Sequence, residues 1–317
     1  MAFIIDGEAS RNNQIRDLEY RGDVSSSTAP AIARSHDGEA IAYRIAGRAA
    51  RTPILTAHGL VSSTHHWTFF TPHFAAEHPV ISFEYRGHGG QPALRDPEVS
   101  VAQFADDAHA VWRATGLGPT VVTGLSFGVQ VALEVWRRHP GAVRALVLIC
   151  GTPGHPLDRV SASPRLRRAA IGLVRELGKQ RTLGNGLLAV LRSRGGTRLA
   201  RELAYVTGGA HRGACPTEVL DGLFGHVAGL APELIGNAIG AYLEHTAEEV
   251  LPTITVPTLI IAGDRDQLTP VATAERMQRA IPGSKLVVFP GHTHLVQVEK
   301  PREVHAAIEA FLHEHAL

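Results

Sequence analysis

Gly124-Leu125-Ser126-Phe127-Gly128 follows the apolar, β-branched run 120–123 and opens an apolar-periodic stretch over 127–139. A strand, a tight turn and a helix are therefore predicted in immediate succession. A turn of that kind holds its serine in a strained backbone conformation and pushes the hydroxyl clear of the sheet edge. Glycines two residues on either side are needed because a Cβ there would strike the neighbouring strand or helix. Ser126 is thus a candidate nucleophile, and the rest of the chain is read for the groups that would activate it.

Outward from this point the pattern alternates. Residues 31–35 and 40–45 read as short strands joined by His36-Asp37-Gly38-Glu39, an Asp-Gly hairpin signal. Residues 54–57 and 80–83 are further strands. Ser100 caps a helix reaching residue 114, with Ala102, Ala105, Ala108 and Val111 at helical spacing. Residues 145–149 form a continuous apolar strand, as expected where both faces are covered. From 152 to about 251 only helical patterns occur. Leu166, Ala169, Ala170, Leu173 and Leu177 share one face. A second helical stretch covers 187–203, broken near Gly195-Gly196; others start at Pro216-Thr217 and at Ala231-Pro232-Glu233. Strand–helix alternation resumes over 258–262, 270–281, 285–289 and 301–317. The alternation predicts an α/β class with a mostly parallel sheet between helical layers. The core is residues 31–151 and 252–317. Residues 152–251 are a helical cap over the sheet's carboxyl edge, where α/β sites lie. Residues 1–30, largely polar and aperiodic, form an N-terminal arm that could serve a homodimer.

Composition restricts partners. The 317 residues carry 31 Lys and Arg against 30 Asp and Glu, so no global field attracts nucleic acid. No run approaches the ~18 apolar residues of a membrane span, and the N-terminus has no signal-peptide pattern. Cys150 and Cys215 are far apart and lack metal-ligand spacing, which suits a reducing, cytoplasmic setting. The pairs His65-His66, His292/His294 and His313/His315 have no third ligand at recognisable spacing, so neither metal nor other cofactor is expected.

A serine nucleophile needs a base, and a histidine base needs a carboxylate to fix its tautomer. The loop Gly263-Asp264-Arg265-Asp266-Gln267-Leu268-Thr269-Pro270 supplies an acid, and Gly291-His292-Thr293-His294-Leu295 supplies the base. The order Ser, Asp, His is that of the α/β-hydrolases. On these residues the chain resembles a capped α/β-hydrolase of the esterase, lipase and haloperoxidase-like branch. The resemblance implies the acid at Asp266, ahead of an apolar residue and Pro270, with Asp264 as the alternative. It implies the base at His294, ahead of an apolar residue and Glu299-Lys300-Pro301, with His292 as the alternative. It also places the oxyanion donors at the backbone N–H of Phe127 and, after His58-Gly59, at that of Leu60. The turn Tyr85-Arg86-Gly87-His88-Gly89 is read as structural, and Trp67, Phe69 and Phe70 as packing.

The expected activity is hydrolysis of a small-molecule carboxylic ester through an acyl-enzyme. Activity should fall below roughly pH 6.5, where imidazole is protonated. Serine at the elbow excludes the aspartate-dependent epoxide hydrolases and haloalkane dehalogenases that the resemblance also brings in. C–C, lactone or thioester cleavage, acyl transfer, and a non-enzymatic receptor on this fold remain as alternatives. Residues 152–212 hold eleven Arg and one Lys against three acidic residues, whereas 213–250 hold six acidic residues and no Lys or Arg. These charges either pair across helices or make a basic entrance for anionic substrates.

Overall fold

The computed structural model describes residues 3–4, 30–48, 51–89, 91, 94, 96–154, 156 and 164–317. The strands are β1 (Phe3–Ile4), β2 (Ala31–Arg34), β3 (Ala40–Ala46), β4 (Ile54–Ala57), β5 (Val80–Phe83), β6 (Thr120–Leu125), β7 (Val143–Ile149), β8 (Thr258–Gly263) and β9 (Lys285–Phe289). They form one sheet in the order β1-β9-β8-β7-β6-β4-β5-β3-β2. β3 runs antiparallel to both β2 and β5, and the other pairings are parallel.

Strand periodicity divides the apolar residues between two layers. On one face Val122, Leu146, Leu148 and Ile260 pack with Phe104 and Ala108 of α2 (Val101–Thr115) and Met277 of α9 (Val271–Ala280). On the other, Val121, Val147, Leu259 and Ile261 pack with Phe70 and Phe74 of α1 (Phe70–Phe74) and with Ile308 and Phe311 of the C-terminal helix (Pro301–Glu314). Trp67 and Phe70 are buried in this second layer, their rings 5.2 Å apart, and Phe69 packs against it. Ser100 caps α2 as expected. Its hydroxyl accepts from the Gln103 N–H at 3.2 Å, while the Gln103 side chain accepts from the Ser100 N–H at 2.9 Å.

Between β7 and β8 lie α4 (Pro164–Lys179), α5 (Arg181–Arg192), α6 (Arg194–Val206), α7 (Thr217–Gly229) and α8 (Pro232–Glu244). α4 packs on α8, while α5 and α6 pack on α7. Part of the charge asymmetry is internal pairing: Arg175 with Glu244 at 2.7 Å, Arg181 with Glu233 at 3.2 Å and Arg201 with Asp221 at 2.9 Å. No helix among the described residues is long and apolar enough to cross a membrane.

One expectation is corrected. The predicted helix over 187–203 begins earlier, at Arg181, and breaks at Ser193 rather than at the glycine pair. The Ser193 hydroxyl accepts from the Gly196 N–H at 3.1 Å and starts α6, so Gly195 and Gly196 fall within its first turn. Of residues 1–30, Phe3–Ile4 form an edge strand parallel to β9; residues 5–29 lie outside the described residues. Finally, the apolar face of α4 points outward. Leu166, Leu173 and Leu177 are 64%, 60% and 47% exposed, and Ile171 on another side is buried instead.

Arg86 ties the turn after β5 to the rest of the fold. Nearly fully buried, it donates Nε and Nη2 to the two Asp107 carboxylate oxygens of α2 at 2.7 and 2.6 Å. Its Nη1 donates to Asp37 of the β2–β3 hairpin at 2.7 Å. Arg86→Ala would strand the buried Asp107 carboxylate, and denaturant unfolding should show a loss of about 3–5 kcal/mol. Arg86→Lys should recover only part of it, because an ammonium cannot make the two-pronged contact.

Candidate active site

β6 ends at Leu125 and α3 (Phe127–Arg138) begins at once, leaving Ser126 alone to turn the chain. Its backbone lies at φ 55 and ψ −113, a region that L side chains rarely occupy. The flanking glycines are required by contact. A Cβ on Gly124 would stand 2.2 Å from the Gly128 carbonyl oxygen, and one on Gly128 would stand 2.1 Å from that of Ala57. The same Gly128 contact brings the start of α3 against the backbone of Ala57 and His58, where the chain leaves β4 for Leu60. Phe127 is the first residue of α3, so its N–H belongs to the donors a helix leaves without an internal acceptor.

The carboxyl ends of β6, β7, β8 and β9 lie in register. Leu125 pairs with Ile149, Ile149 with Ile261, and Gly263 with Phe289. Ser126, the Asp266 loop and the His294 loop therefore all leave the same edge of the sheet. His294 Nδ1 lies 2.8 Å from Asp266 Oδ2, with both side chains almost fully buried. The carboxylate is anchored further. Its Oδ1 accepts from the Leu268 and Thr269 N–H groups, each at 2.8 Å, and its Oδ2 accepts from the Thr269 hydroxyl at 2.6 Å. Burial alone would raise the Asp266 pKa, but the facing imidazole and the Thr269 donors outweigh it and hold it below the usual carboxylate value. An ionised Asp266 only accepts, so the His294 proton sits on Nδ1 and the Nε2 lone pair is free to act as a base. Among the described residues no hydrogen bond joins the Ser126 hydroxyl to His294.

The alternatives have other partners. Asp264 is exposed and accepts from the Gly291 N–H at 2.6 Å. His292 Nδ1 lies 3.1 Å from Glu299 Oε2. His58 and His66, near the Leu60 loop, are enclosed. Burial pushes the His58 pKa down to about 3 and that of His66 well below its ordinary value, so both are neutral. His66 Nδ1 accepts from the Gly59 N–H at 3.2 Å, which fixes the loop carrying Leu60. Glu84 holds the same loop, accepting from the Thr64 N–H at 3.2 Å and the Thr64 hydroxyl at 2.7 Å. Among the described residues no group of three His, Cys, Asp or Glu side chains is placed to hold a metal. Cys150 and Cys215 are buried free thiols.

Sequence reasoning missed the role of Glu299. Its carboxylate accepts from the Thr293 N–H at 2.9 Å, from the Thr293 hydroxyl and His292 on the same loop, and from the His211 N–H at 2.6 Å in the α6–α7 connection. It thus binds the segment before His294 to the inserted helices. The contact is reinforced where the His294 N–H donates to the Gly208 carbonyl at 3.2 Å. The only signal in the sequence was a Glu-x-Pro after the histidine, which does not reveal what the carboxylate holds. Beside these residues is a cavity of about 310 Å³ lined by Tyr205, Val206, Gly208, Arg212, Gln267 and Thr293, among others; Ser126 does not line it.

Comparison with known proteins agrees with this architecture. The model of a family described as having the alpha/beta hydrolase fold matches residues 52–301, and the chain belongs to that family. It is 27% identical over 246 residues to a pimeloyl-[acyl-carrier protein] methyl ester esterase of Neisseria meningitidis, covering 75% of this chain and 83% of that one. It is 25% identical over 272 residues to a putative carbamate hydrolase of Caulobacter vibrioides, covering 83% and 91% respectively. Among solved structures, a thermophilic esterase of Thermogutta terrifontis superposes with a TM-score of 0.72 at 23% identity, over 91% of this chain and 99% of that one.

Four donors converge on Glu299, and a glutamine there offers one acceptor oxygen in place of two. Glu299→Gln should cost about 2 kcal/mol at pH 7 in denaturant unfolding. Burial would raise the Glu299 pKa, but its donors lower it overall. Its contribution is therefore complete above the unfolded value, about pH 4.3, and is lost as pH falls through the folded value. The stability gap between wild type and variant should close on acidification and persist towards neutral pH.

Proposed function

We propose that this α/β-hydrolase is a serine enzyme that cleaves a carboxylic ester of a small molecule, with Ser126, His294 and Asp266 as its triad. The observation that carries the reading is the 2.8 Å contact between His294 Nδ1 and Asp266, on the sheet edge from which Ser126 is presented. The esterase relatives support the same class of reaction.

His294 takes the Ser126 proton on Nε2 as the hydroxyl oxygen attacks the acyl carbon. Asp266 fixes the tautomer and stabilises the imidazolium. Charge developing on the carbonyl oxygen is met by the N–H groups of Phe127 and Leu60, a donor of this kind being worth ~2.7–4 kcal/mol. The imidazolium gives its proton to the departing alcohol. The acyl-enzyme is then opened by water that His294 deprotonates, releasing the acid and restoring Ser126. No cofactor takes part. Residues 152–251 act as the cap that shapes the entrance, and Glu299 positions His294 by holding Thr293 to that cap.

The test is hydrolysis of p-nitrophenyl esters of increasing acyl length. Ser126→Ala should lower kcat by about 10⁶, and Asp266→Asn by about 10⁴ with the fold intact. Free acid should appear without any added acceptor, which separates hydrolysis from acyl transfer. Activity retained in Ser126→Ala would contradict the assignment.

A further inference from the structure

The outer surface of α4, α5 and α6 carries three apolar stripes that nothing in the described structure covers. Each has the i, i+4, i+7 or i, i+7, i+11 spacing of a single helix face. On α4 it is Leu166, Leu173 and Leu177; on α5 Leu183, Leu187 and Val190; on α6 Leu199, Leu203 and Val206. All nine are between 47% and 74% exposed, and they make up most of the exposed large apolar side chains among the described residues. A helix in a globular protein normally turns such a stripe to the core. Here α4 and α5 instead bury Ile171 and Leu188. Contiguous exposed apolar surface with a polar rim marks an interaction site.

Charge says what kind of surface it meets. Residues 164–206 hold nine Arg and one Lys against two Glu, although the whole chain is nearly neutral; Arg175, Arg181, Arg201 and Lys179 pair with acidic residues, while Arg165, Arg194 and Arg198 are exposed. Arg165 flanks the α4 stripe and Arg198 flanks that of α6, each about a quarter-turn round its helix and exposed. A second copy of the chain meeting this face about a two-fold axis would bring two basic surfaces together. Residues 6–30 are polar and aperiodic, so they offer no matching apolar segment. Leucine faces bordered by arginine are the pattern of helices that lie in a lipid interface, apolar side among the acyl chains and cations at the headgroups.

We infer that α4–α6 form a docking face for an anionic phospholipid surface. The face ends at Val206, which also lines the cavity shared with Gly208 and Thr293. Docking would place that opening at the lipid boundary, beside the loop that carries His294. The inference rests on the stripes and their charges, independently of the Ser126 chemistry.

The experiment is co-sedimentation of the full chain with phosphatidylcholine vesicles, alone or with roughly one part in four phosphatidylglycerol, at about 0.1 M and about 0.5 M salt. Binding to the anionic vesicles should be at least about tenfold tighter than to phosphatidylcholine alone, and it should weaken at high salt. Leu173→Glu with Leu187→Glu should abolish it, and Arg165→Glu with Arg198→Glu should weaken it by about tenfold or more. These side chains are exposed, so thermal melting and turnover of a short soluble ester serve as controls for folding. Failure to bind anionic vesicles would overturn the proposal, as would binding unchanged in the leucine variant. So would light scattering that shows a dimer converted to monomer by the leucine substitutions, because the face would then belong to a second copy.

Discussion

The contact between the first turn of α3 and the end of β4 governs the rest of the site. No side-chain atom fits between Gly128 and the Ala57 carbonyl, nor between Gly124 and the Gly128 carbonyl. That closeness forces Ser126 into a positive-φ conformation at a cost of roughly 1–3 kcal/mol. The surroundings hold it there: Leu125, Phe127 and Val129 are at most 1% exposed. The same approach sets the start of α3 beside the backbone that leads from β4 to Leu60, so the strained serine and the two backbone donors of the proposed reaction would share one steric origin.

Histidine is abundant in this chain, yet its members near the site differ in chemistry. His58, His66 and His88 are buried, and burial keeps each neutral. The Nδ1 of each is spent on local structure: His58 against the Gly59 carbonyl, His66 against the Gly59 N–H and His88 against the Arg86 carbonyl. His292 has a carboxylate partner, but Glu299 is shared with Thr293 and His211 and serves to join two segments. His294 stands apart because its carboxylate is held by its own loop, through Leu268 and Thr269, and answers to no other imidazole.

Much of the sheet was legible because β6, β7 and β8 are buried almost throughout and read as largely apolar, β-branched runs. The turn at Ser126 was legible because sterics there admit few residues. Asp266 and His294 were chosen over Asp264 and His292 from loop position and the family resemblance; the contact between them is what only the structure shows. Leu60 and Phe127 act, in the proposed reaction, through backbone N–H groups that leave no side-chain trace. β1 is two residues long and has no period to detect. The helix break at Ser193 was misplaced because a capping hydroxyl outcompeted a glycine pair. The α4 stripe shows the limit of periodicity: Leu166, Leu173 and Leu177 do share a face, but spacing alone does not say whether that face meets the core or a partner.

The central claim is that Ser126 is a nucleophile activated by His294. The most direct measurement is intact-protein and peptide mass spectrometry after treatment with a fluorophosphonate, which reacts with activated serines. The account predicts one phosphonyl adduct, located on Ser126 and lost in His294→Ala. No adduct, or an adduct on another residue while Ser126 stays unmodified, would contradict it.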